Sequence, residues 1–263
     1  MPLFCVDKPL GPGSHDVVAR ARRLLGTRRV GHAGTLDPLA SGVLLLLSDE
    51  ATKLSQFITG HDKSYLAWVR LGVGTPTLDA EGPVSSEVDA SQLDAEQVRA
   101  ALPAFLELDE QRPPVFSAIK RDGERSYAAA RRGELEEPPA RPAGYRAIDL
   151  IAMASDRDDL PSRFGPTGEG SENATLWRPD PAGESFELPP RLPGGGVTAL
   201  IALRVAAGTY VRAFARDLGG ALGVPAHLAG LVRTASGRVD LSRAVPLERL
   251  GEAPELPLRA ALD

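Results

Sequence analysis

The residues best suited to chemistry lie in a glycine-rich stretch from Gly31 to Val43, GHAGTLDPLASGV. Its glycines let the backbone approach a ligand closely, and Pro38 biases Asp37 away from helical backbone angles. An extended carboxylate on a loop can act as a nucleophile or as a general base. Asp followed by Pro is also a common helix start, with Asp as the N-cap and Pro at the first helical position. The stretch alone favours the helix N-cap interpretation.

The chain carries few other reactive side chains. Cys5 is the only cysteine, which excludes an internal disulfide and is typical of a reducing compartment, and the four histidines lack companions at metal-ligand spacing. The amino-terminal residues show no basic start followed by a long apolar run, and no stretch approaches the roughly 18 apolar residues of a membrane span. We expect a cytoplasmic protein with no metal and no membrane contact.

A net charge of −5 argues against nucleic-acid binding, but the charge is segregated along the chain. Residues 1–72, 111–147 and 198–239 carry net charges of +3, +3 and +4, whereas residues 79–110 and 153–197 carry −8 and −4. The basic segments could share one face of an acidic protein and contact phosphates there. Charge alone favours the simpler interpretation, a solvated mixed surface.

Periodicity and turn residues predict helices and strands around the glycine-rich stretch. The predicted helices are a capped segment from Ser14 to Gly26, residues 51–59, a segment opening at Asp94, residues 125–132, and the segment GTYVRAFARDLGGALG, with Thr209 as its cap. The predicted strands are residues 43–47, 64–71, 115–120, 198–206 and 238–241. Because these elements do not alternate regularly, we expect an α+β fold with a mixed, mostly antiparallel central sheet flanked by helices and loops.

Residues 153–197 break this pattern. They are rich in Pro, Gly, Ser and acidic residues and show little periodicity. Such a composition is typical of segments that bury too little apolar surface to offset the entropy of ordering. The sequence predicts a mobile loop insertion there, of which a short Gly/Ser linker could replace residues 156–195.

Several motifs, in their order and spacing, resemble the TruB family of tRNA pseudouridine synthases over nearly the whole chain. The matching segments are KPLG from Lys8 followed by Ser14, GHAGTLDPLASGVL from Gly31, KSYLAWVRLG from Lys63, QRPPVFSAIK from Gln111, DGERSYAAARRG from Asp122, GTYVRAFARDLG from Gly208, and Leu231. The chain departs from the family pattern at Ala33, Phe116, Ser126 and Ala207, none of which is a proposed catalytic position. The resemblance implies the pseudouridine synthase fold.

The resemblance also implies a role for each matched residue. Asp37 would be the catalytic aspartate, Arg212 would keep it ionised through a charge-assisted and bidentate hydrogen bond, and Tyr65 would stack on the extracted base. His32 would brace the place that the extruded base leaves, and Leu231 would line the uracil pocket. The cations expected to grip RNA phosphates are Lys120, Arg121, Arg125, Arg131 and Arg132.

Each of these residues has a simpler structural interpretation. Outside the motif, Arg212 would be a helix-surface arginine, Tyr65 a core aromatic on a strand, and His32 a loop histidine bonded to the backbone. The cations between residues 120 and 132 would form an exposed helix face.

The reaction that the resemblance implies is isomerisation of uridine to pseudouridine at position 55, in the T loop of tRNA. It involves no net redox change and no external group donor, so we expect no cofactor. We expect a monomer that binds the T-arm stem-loop, with residues 1–240 as the catalytic domain and 241–263 as a short tail without a complete carboxy-terminal RNA-binding domain.

Two rival functions have less support. A non-catalytic tRNA-binding or tRNA-folding protein on the same scaffold would not need Asp37, Tyr65 and Arg212 together. A phosphate-transfer enzyme would use the GPGSHD turn, but that segment lacks the Gly-Lys-Ser/Thr ending of a P-loop and a second acidic group for a metal.

Overall fold

A nine-stranded sheet forms the centre of the molecule. The computed structural model describes residues 2–117, 138–166 and 176–257, together with the backbone of residues 120–121 and 124–125. The strands are β1 Leu3–Lys8, β2 Val30–Ala33, β3 Ala40–Ser48, β4 Lys63–Leu71, β5 Val73–Gly74, β6 Ser86–Glu87, β7 Glu110–Gln111, β8 Lys120–Arg121, β9 Glu124–Arg125, β10 Arg141–Pro142, β11 Tyr145–Ala154, β12 Arg163–Pro166, β13 Trp177–Pro179, β14 Glu184–Ser185, β15 Val197–Val205, β16 Ala226–Ser236, β17 Val239–Asp240 and β18 Val245–Pro246.

Short helices cover the sheet. They are α1 Ser14–Leu24, α2 Ser55–Thr59, α3 Ala95–Ala101, α4 Pro103–Leu106 and α5 Val211–Ala221, with single 3-10 turns or longer 3-10 segments at Asp49–Leu54, Arg157–Asp159, Leu241–Arg243 and Leu247–Glu252. None of the helices within these described ranges is long and apolar enough to cross a membrane.

The order of the main sheet is β11-β15-β4-β16-β3-β1-β18, with β2 paired to β3 and β17 to β16. Most neighbours are antiparallel, whereas β16 runs parallel to β3 and β1 runs parallel to β18. The predicted α+β class and mixed, mostly antiparallel sheet are confirmed. The parallel pairing places Leu231 beside Ala40 and Arg233 beside Gly42, where β3 leaves the glycine-rich loop.

The central strands are long apolar runs because both faces of the sheet are covered. Every residue of β3 and of β4 is buried. Alternate residues of β4 face opposite ways: Tyr65 and Ala67 join a core with α5, whereas Leu66 and Trp68 join a second core with Ile58 of α2. The sheet therefore separates two layers, and the position of a side chain along the strand decides which layer it enters.

Several predicted elements are confirmed with small shifts at their ends. These are α1, the helical region ending at Gly60, β3, β4, β15, the helix that begins after Asp94, and the helix that follows Tyr210. The strand predicted at 115–120 is wrong for residues 115–117, which form a bend. The helix predicted at 125–132 lies outside the described residues except at Arg125, whose backbone belongs to β9.

Two predicted helix caps are wrong. The N-cap residue of α1 is Gly13, whose N–H donates to Asp16, while the Ser14 hydroxyl binds the backbone of Leu36. The N-cap of α5 is Tyr210, which makes no side-chain cap bond. Thr209 instead binds the backbone of Gly144. Both hydroxyls join segments distant in sequence, which is why local rules misplace them.

The loop predicted for residues 153–197 is wrong for those of its described residues that form strands, whereas residues 186–196 are irregular as predicted. Residues up to Ala154 belong to β11, and β12, β13 and β14 form a three-stranded sheet. Phe164 and Trp177 are 1% and 2% exposed and pack in the same core as Trp68. A few large aromatic side chains bury enough area to order a segment whose composition is otherwise polar. A linker replacement would uncover this face of the main sheet.

The described residues after 240 also pack against the rest of the structure. The backbone of β18 pairs with β1, and Leu247 and Leu250 are buried against Val17 and Val18 of α1. A domain boundary at residue 240 stays a prediction.

A pair of phenylalanine variants tests whether the small sheet stabilises the fold. Phe164→Ala should lower the free energy of unfolding by about 3 to 5 kcal/mol, because it leaves a cavity against Trp68. Phe57→Ala is the control, since Phe57 is 59% exposed, and should change it by less than about 0.5 kcal/mol. Urea unfolding measures both. Equal, small changes would show that the small sheet is not part of the core.

Candidate active site

Asp37 lies in an irregular loop between β2 and β3. No helix follows it, because Pro38 and Leu39 form a turn that leads directly into β3. This geometry rules out the N-cap interpretation and leaves an extended carboxylate on a loop. The side chain of Asp37 is 37% exposed, so it is partly open to a ligand.

Arg212 meets Asp37 from the first turn of α5. Its Nε atom lies 2.8 Å from Asp37 Oδ2, and its side chain is 9% exposed. The helix start is anchored by Gln111, whose side-chain oxygen accepts the N–H of Tyr210 at 3.0 Å. The same Gln111 amide donates to the Tyr145 hydroxyl at 2.7 Å. Arg212 is therefore a buried ion-pair partner held in position by several elements, not a helix-surface arginine.

Asp79 is a third member of this cluster, which the sequence patterns did not reveal. Its Oδ2 atom lies 3.3 Å from Arg212 Nη1, and its side chain is 3% exposed. Thr77 donates its hydroxyl to Asp79 Oδ1, and the Thr77 carbonyl accepts from Arg212 Nη1 at 3.1 Å. Burial raises the pKa of Asp79. The guanidinium is thus shared between two carboxylates, which differs from the predicted bidentate fork on Asp37 alone.

A mostly apolar wall lies beside this cluster. Tyr65 and Leu231 are 8% and 7% exposed and belong to one core with Leu36, Leu39 and residues of α5. Their registers bring them to adjacent strands, since Leu231 pairs with Ala67, two residues along β4 from Tyr65. The structure therefore brings the two predicted pocket residues together on the face of the sheet that carries Arg212.

His32 lies at the edge of the same loop, on β2. Its ring makes a T-shaped contact with His15 at the start of α1, with a centroid distance of 5.4 Å. Burial, followed by the charges of His15 and Arg233, lowers the pKa of His32. The side chain is therefore neutral at neutral pH and is half-buried.

Lys8 is a buried cation near Asp37 that the chemistry of the motif did not single out. Its side chain is inaccessible to solvent, and Nζ donates to the Pro9 carbonyl at 2.9 Å. Burial lowers the pKa of Lys8 to about 8, opposed chiefly by the charge of Asp37. In the sequence, Lys8 belongs to the Lys-Pro-Leu-Gly segment, which predicts a turn. That pattern does not show that the Lys8 amine lies near the loop that carries Asp37.

The predicted phosphate-gripping cations are only partly placed. Lys120, Arg121 and Arg125 lie on β8 and β9, of which the structure describes the backbone alone. Arg131 and Arg132 lie outside the described residues. On the described surface, two arginines of the basic amino-terminal segment are paired, Arg20 with Glu248 and Arg29 with Glu50.

No group of three or more His, Cys, Asp or Glu side chains in the ranges that the structure describes could hold a metal ion. A cavity of about 260 Å³ lies on the opposite layer, lined by Trp68, Phe164, Phe186 and neighbouring residues. Because Trp68 faces away from the layer that holds Tyr65, this cavity is separate from the Asp37 cluster.

The depressed pKa of Lys8 predicts how stability varies with pH. Between about pH 8 and pH 10.5 the unfolded chain holds a proton that the folded chain has lost. Lys8 therefore makes the free energy of unfolding rise with pH in this window, by up to about 1.4 kcal/mol per pH unit. Lys8→Met should remove the part of the rise that Lys8 contributes, while Lys63, whose pKa burial also lowers to about 8, keeps its own part.

Urea midpoints of the parent and of Lys8→Met over this pH range measure the effect. Lys53→Met is the control, because the Lys53 side chain is 70% exposed, and its profile should parallel that of the parent. A Lys8→Met profile parallel to the parent would contradict the burial of the amine.

Known proteins match this chain over its full length. The model of the TruB family pseudouridylate synthase (N terminal domain) matches residues 22–163. The tRNA pseudouridine synthase B of Deinococcus deserti is 53% identical over 263 residues, which cover all of this chain and 83% of the relative. That of Thermus thermophilus is 51% identical over 260 residues, covering 98% of this chain and 80% of the relative.

Solved structures share the fold. A chain of a Cbf5-Nop10-Gar1 complex matches 95% of this chain with a TM-score of 0.60 and 25% identity. A chain of an H/ACA RNP bound to a substrate RNA containing 2'-deoxyuridine matches with a TM-score of 0.56 and 23% identity. This chain spans about half the length of those chains, 54% and 52%. The sequence relatives and the family model together show that the chain belongs to the TruB family of pseudouridylate synthases.

Proposed function

We propose that the protein converts uridine to pseudouridine in tRNA, with Asp37 as the catalytic carboxylate. The observation that carries this proposal is the partly exposed Asp37 carboxylate held 2.8 Å from the buried Arg212 guanidinium. Relatives named tRNA pseudouridine synthase B at 51% to 53% identity support the substrate and the reaction. A tRNA-binding protein without chemistry would gain nothing from a buried arginine aimed at an open loop carboxylate.

The reaction balances without any added reagent. The bond between ribose C1′ and N1 breaks, the detached base turns, and C1′ bonds to C5. A proton leaves C5 and a proton is gained at N1, so no electrons and no groups enter from outside. The carboxylate can attack the sugar, attack the pyrimidine or remove a ribose proton, and each route needs an oriented carboxylate. Arg212 supplies that orientation.

The neighbouring residues suit a pyrimidine that has left the base stack. The proposed slot has Tyr65 as the stacking aromatic and Leu231 as the apolar wall, both at the margin of the core. The phenol of Tyr65 would also pass the proton at C5. His32, neutral and half-buried at the edge of the loop, would fill the place vacated in the RNA. The cations from Lys120 to Arg132 would bind phosphates.

Within tRNA, the proposed target is uridine 55 of the T loop. Single-stranded loops present splayed bases that a protein can stack and hydrogen-bond, whereas the deep groove of an RNA helix hides them. We propose that the protein acts as a monomer in the cytoplasm and needs no cofactor, since the reaction is an internal rearrangement.

Neutralising Asp37 tests the catalytic assignment. Asp37→Asn keeps the size of the side chain but removes its charge, so turnover of unmodified tRNA should fall by at least about a thousandfold. The tRNA dissociation constant should change by less than about threefold, because affinity comes from phosphate contacts. Asp149→Asn, which removes an exposed carboxylate paired with Arg178, is the control and should be fully active. Substantial turnover by Asp37→Asn would overturn the assignment.

An isolated T-arm hairpin tests the proposed target. If the loop is what the enzyme reads, the hairpin should be converted at a rate within about tenfold of whole tRNA, at the uridine corresponding to position 55. Binding should weaken with salt by a logarithmic slope of about 0.7 to 0.9 per phosphate neutralised. Pseudouridine is located in both RNAs after incubation without metal or nucleotide. An inert hairpin beside a reactive tRNA would show that contacts beyond the T arm are essential.

A further inference from the structure

Arg233 is a buried arginine that the proposed chemistry does not use. It lies on β16, is 1% exposed, and is among the largest fully buried side chains. No ion pair within the described ranges includes it, in contrast to Arg212, which pairs with Asp37 and Asp79. A buried arginine with this environment must have its N–H groups satisfied by other acceptors.

Those acceptors are backbone carbonyls on both sides of Asp37. Nη2 donates to Gly34 at 3.1 Å, Nη1 donates to Thr35 at 3.3 Å, and Nε donates to Val43 at 2.6 Å. The loop of residues 34–38, which carries Asp37, is called the catalytic loop below. One guanidinium therefore joins the start of this loop to β3, the strand that follows it. The parallel register of Arg233 with Gly42 fixes its backbone beside this strand.

Strands β3 and β16 approach each other closely at Arg233, and this keeps its backbone in place. Gly42 has a φ of +97°, and a side chain at that position would collide with the Arg233 carbonyl oxygen. Only glycine lets β3 and β16 come this near. The guanidinium is thus carried by a rigid element and not by a loop.

The carbonyls of residues 34–38 show how completely the loop is held. Arg233 binds the first two, the Ser14 hydroxyl binds Leu36, and the Gly11 N–H binds Pro38. The remaining carbonyl, that of Asp37 itself, accepts from Ala40 within the turn. Every carbonyl of the segment is occupied, although the segment belongs to no helix or strand.

We propose that Arg233 is a positioning residue for pseudouridine formation, which fixes the loop so that the Asp37 carboxylate meets Arg212. The proposal rests on the catalytic role proposed above for Asp37. A lysine cannot replace the arginine, because a compact ammonium does not reach three carbonyls that lie in different directions. A displacement of about 1 Å at the reacting group is enough to lower a rate about a hundredfold.

Arg233→Lys tests this, with Arg70→Lys as a matched control. Arg70 is also buried on a central strand, and its guanidinium binds the carbonyls of Ser155, Gly194 and Gly195. These contacts do not touch the catalytic loop. Each variant is assayed for its single-turnover rate on unmodified tRNA, its dissociation constant for tRNA and its urea midpoint, at a temperature where it is fully folded.

Arg233→Lys should lower the single-turnover rate by about 10 to 100-fold and leave the dissociation constant within about threefold. Arg70→Lys should lose stability but keep its rate within about threefold. A merely structural role for Arg233 would make the two variants alike, and that result would overturn the proposal. A normal rate in Arg233→Lys would overturn it as well.

Two further variants complete the test. Should Arg233→Lys fail to fold, Arg233→Gln is used, because its shorter neutral side chain still donates to a carbonyl without burying a charge; the same loss of rate is expected. Asp37→Asn is assayed in parallel. If Asp37→Asn were active, the proposed function itself would be overturned. If Asp37→Asn were inactive and the Arg233 variant had a normal rate, only the positioning role of Arg233 would be overturned.

Discussion

The ion pair between Asp37 and Arg212 depends on a second carboxylate. Asp79 is almost fully buried and holds the far side of the same guanidinium at 3.3 Å. An arginine paired with Asp37 alone could follow that side chain whenever the loop moved. Tethered to Asp79 and to the Thr77 carbonyl, Arg212 presents Nε in one direction only. The partly exposed carboxylate must come to the arginine, so the loop has to be held as firmly as the helix.

Sequence patterns predicted the parts of this site that are local. The apolar runs of β3, β4 and β15 and the amphipathic α1 follow from composition and period. Asp37 could be singled out because the glycine-rich stretch and its neighbouring segments resemble the TruB family, whereas the stretch alone is also a common helix start. Strand β16 was not predicted, because its sequence AHLAGLVRTAS contains His227, Gly230 and Arg233 and shows no regular alternation of apolar and polar residues. Its polar groups are satisfied by distant partners, as with His227 Nδ1 and the Val73 carbonyl at 2.7 Å.

Long-range contacts also explain the residues that were misassigned. Thr209 and Ser14 looked like helix caps, but each hydroxyl bridges two segments far apart in the chain. Asp79 lies in an acidic stretch that resembles a solvated surface, although its loop is fixed by a bridge to Leu228 in β16. Residues 153–197 looked like a loop by composition, yet Phe164 and Trp177 are buried in the part of this range that the structure describes. In each case a few contacts across the sheet outweigh the local preference.

The loop of residues 34–38, which carries Asp37, has a physical need that secondary structure cannot meet. A carboxylate that reaches a ligand from the middle of a sheet requires the backbone to leave the strand ladder, and each carbonyl that leaves it must find another donor. Lys8, Lys63 and Arg233 are buried cations whose described contacts are backbone carbonyls. Burial of such groups costs desolvation energy, which the carbonyl dipoles offset. Of these three cations, Arg233 binds carbonyls of the loop itself, those of Gly34 and Thr35. Its buried charge therefore follows from the irregular backbone that presents Asp37.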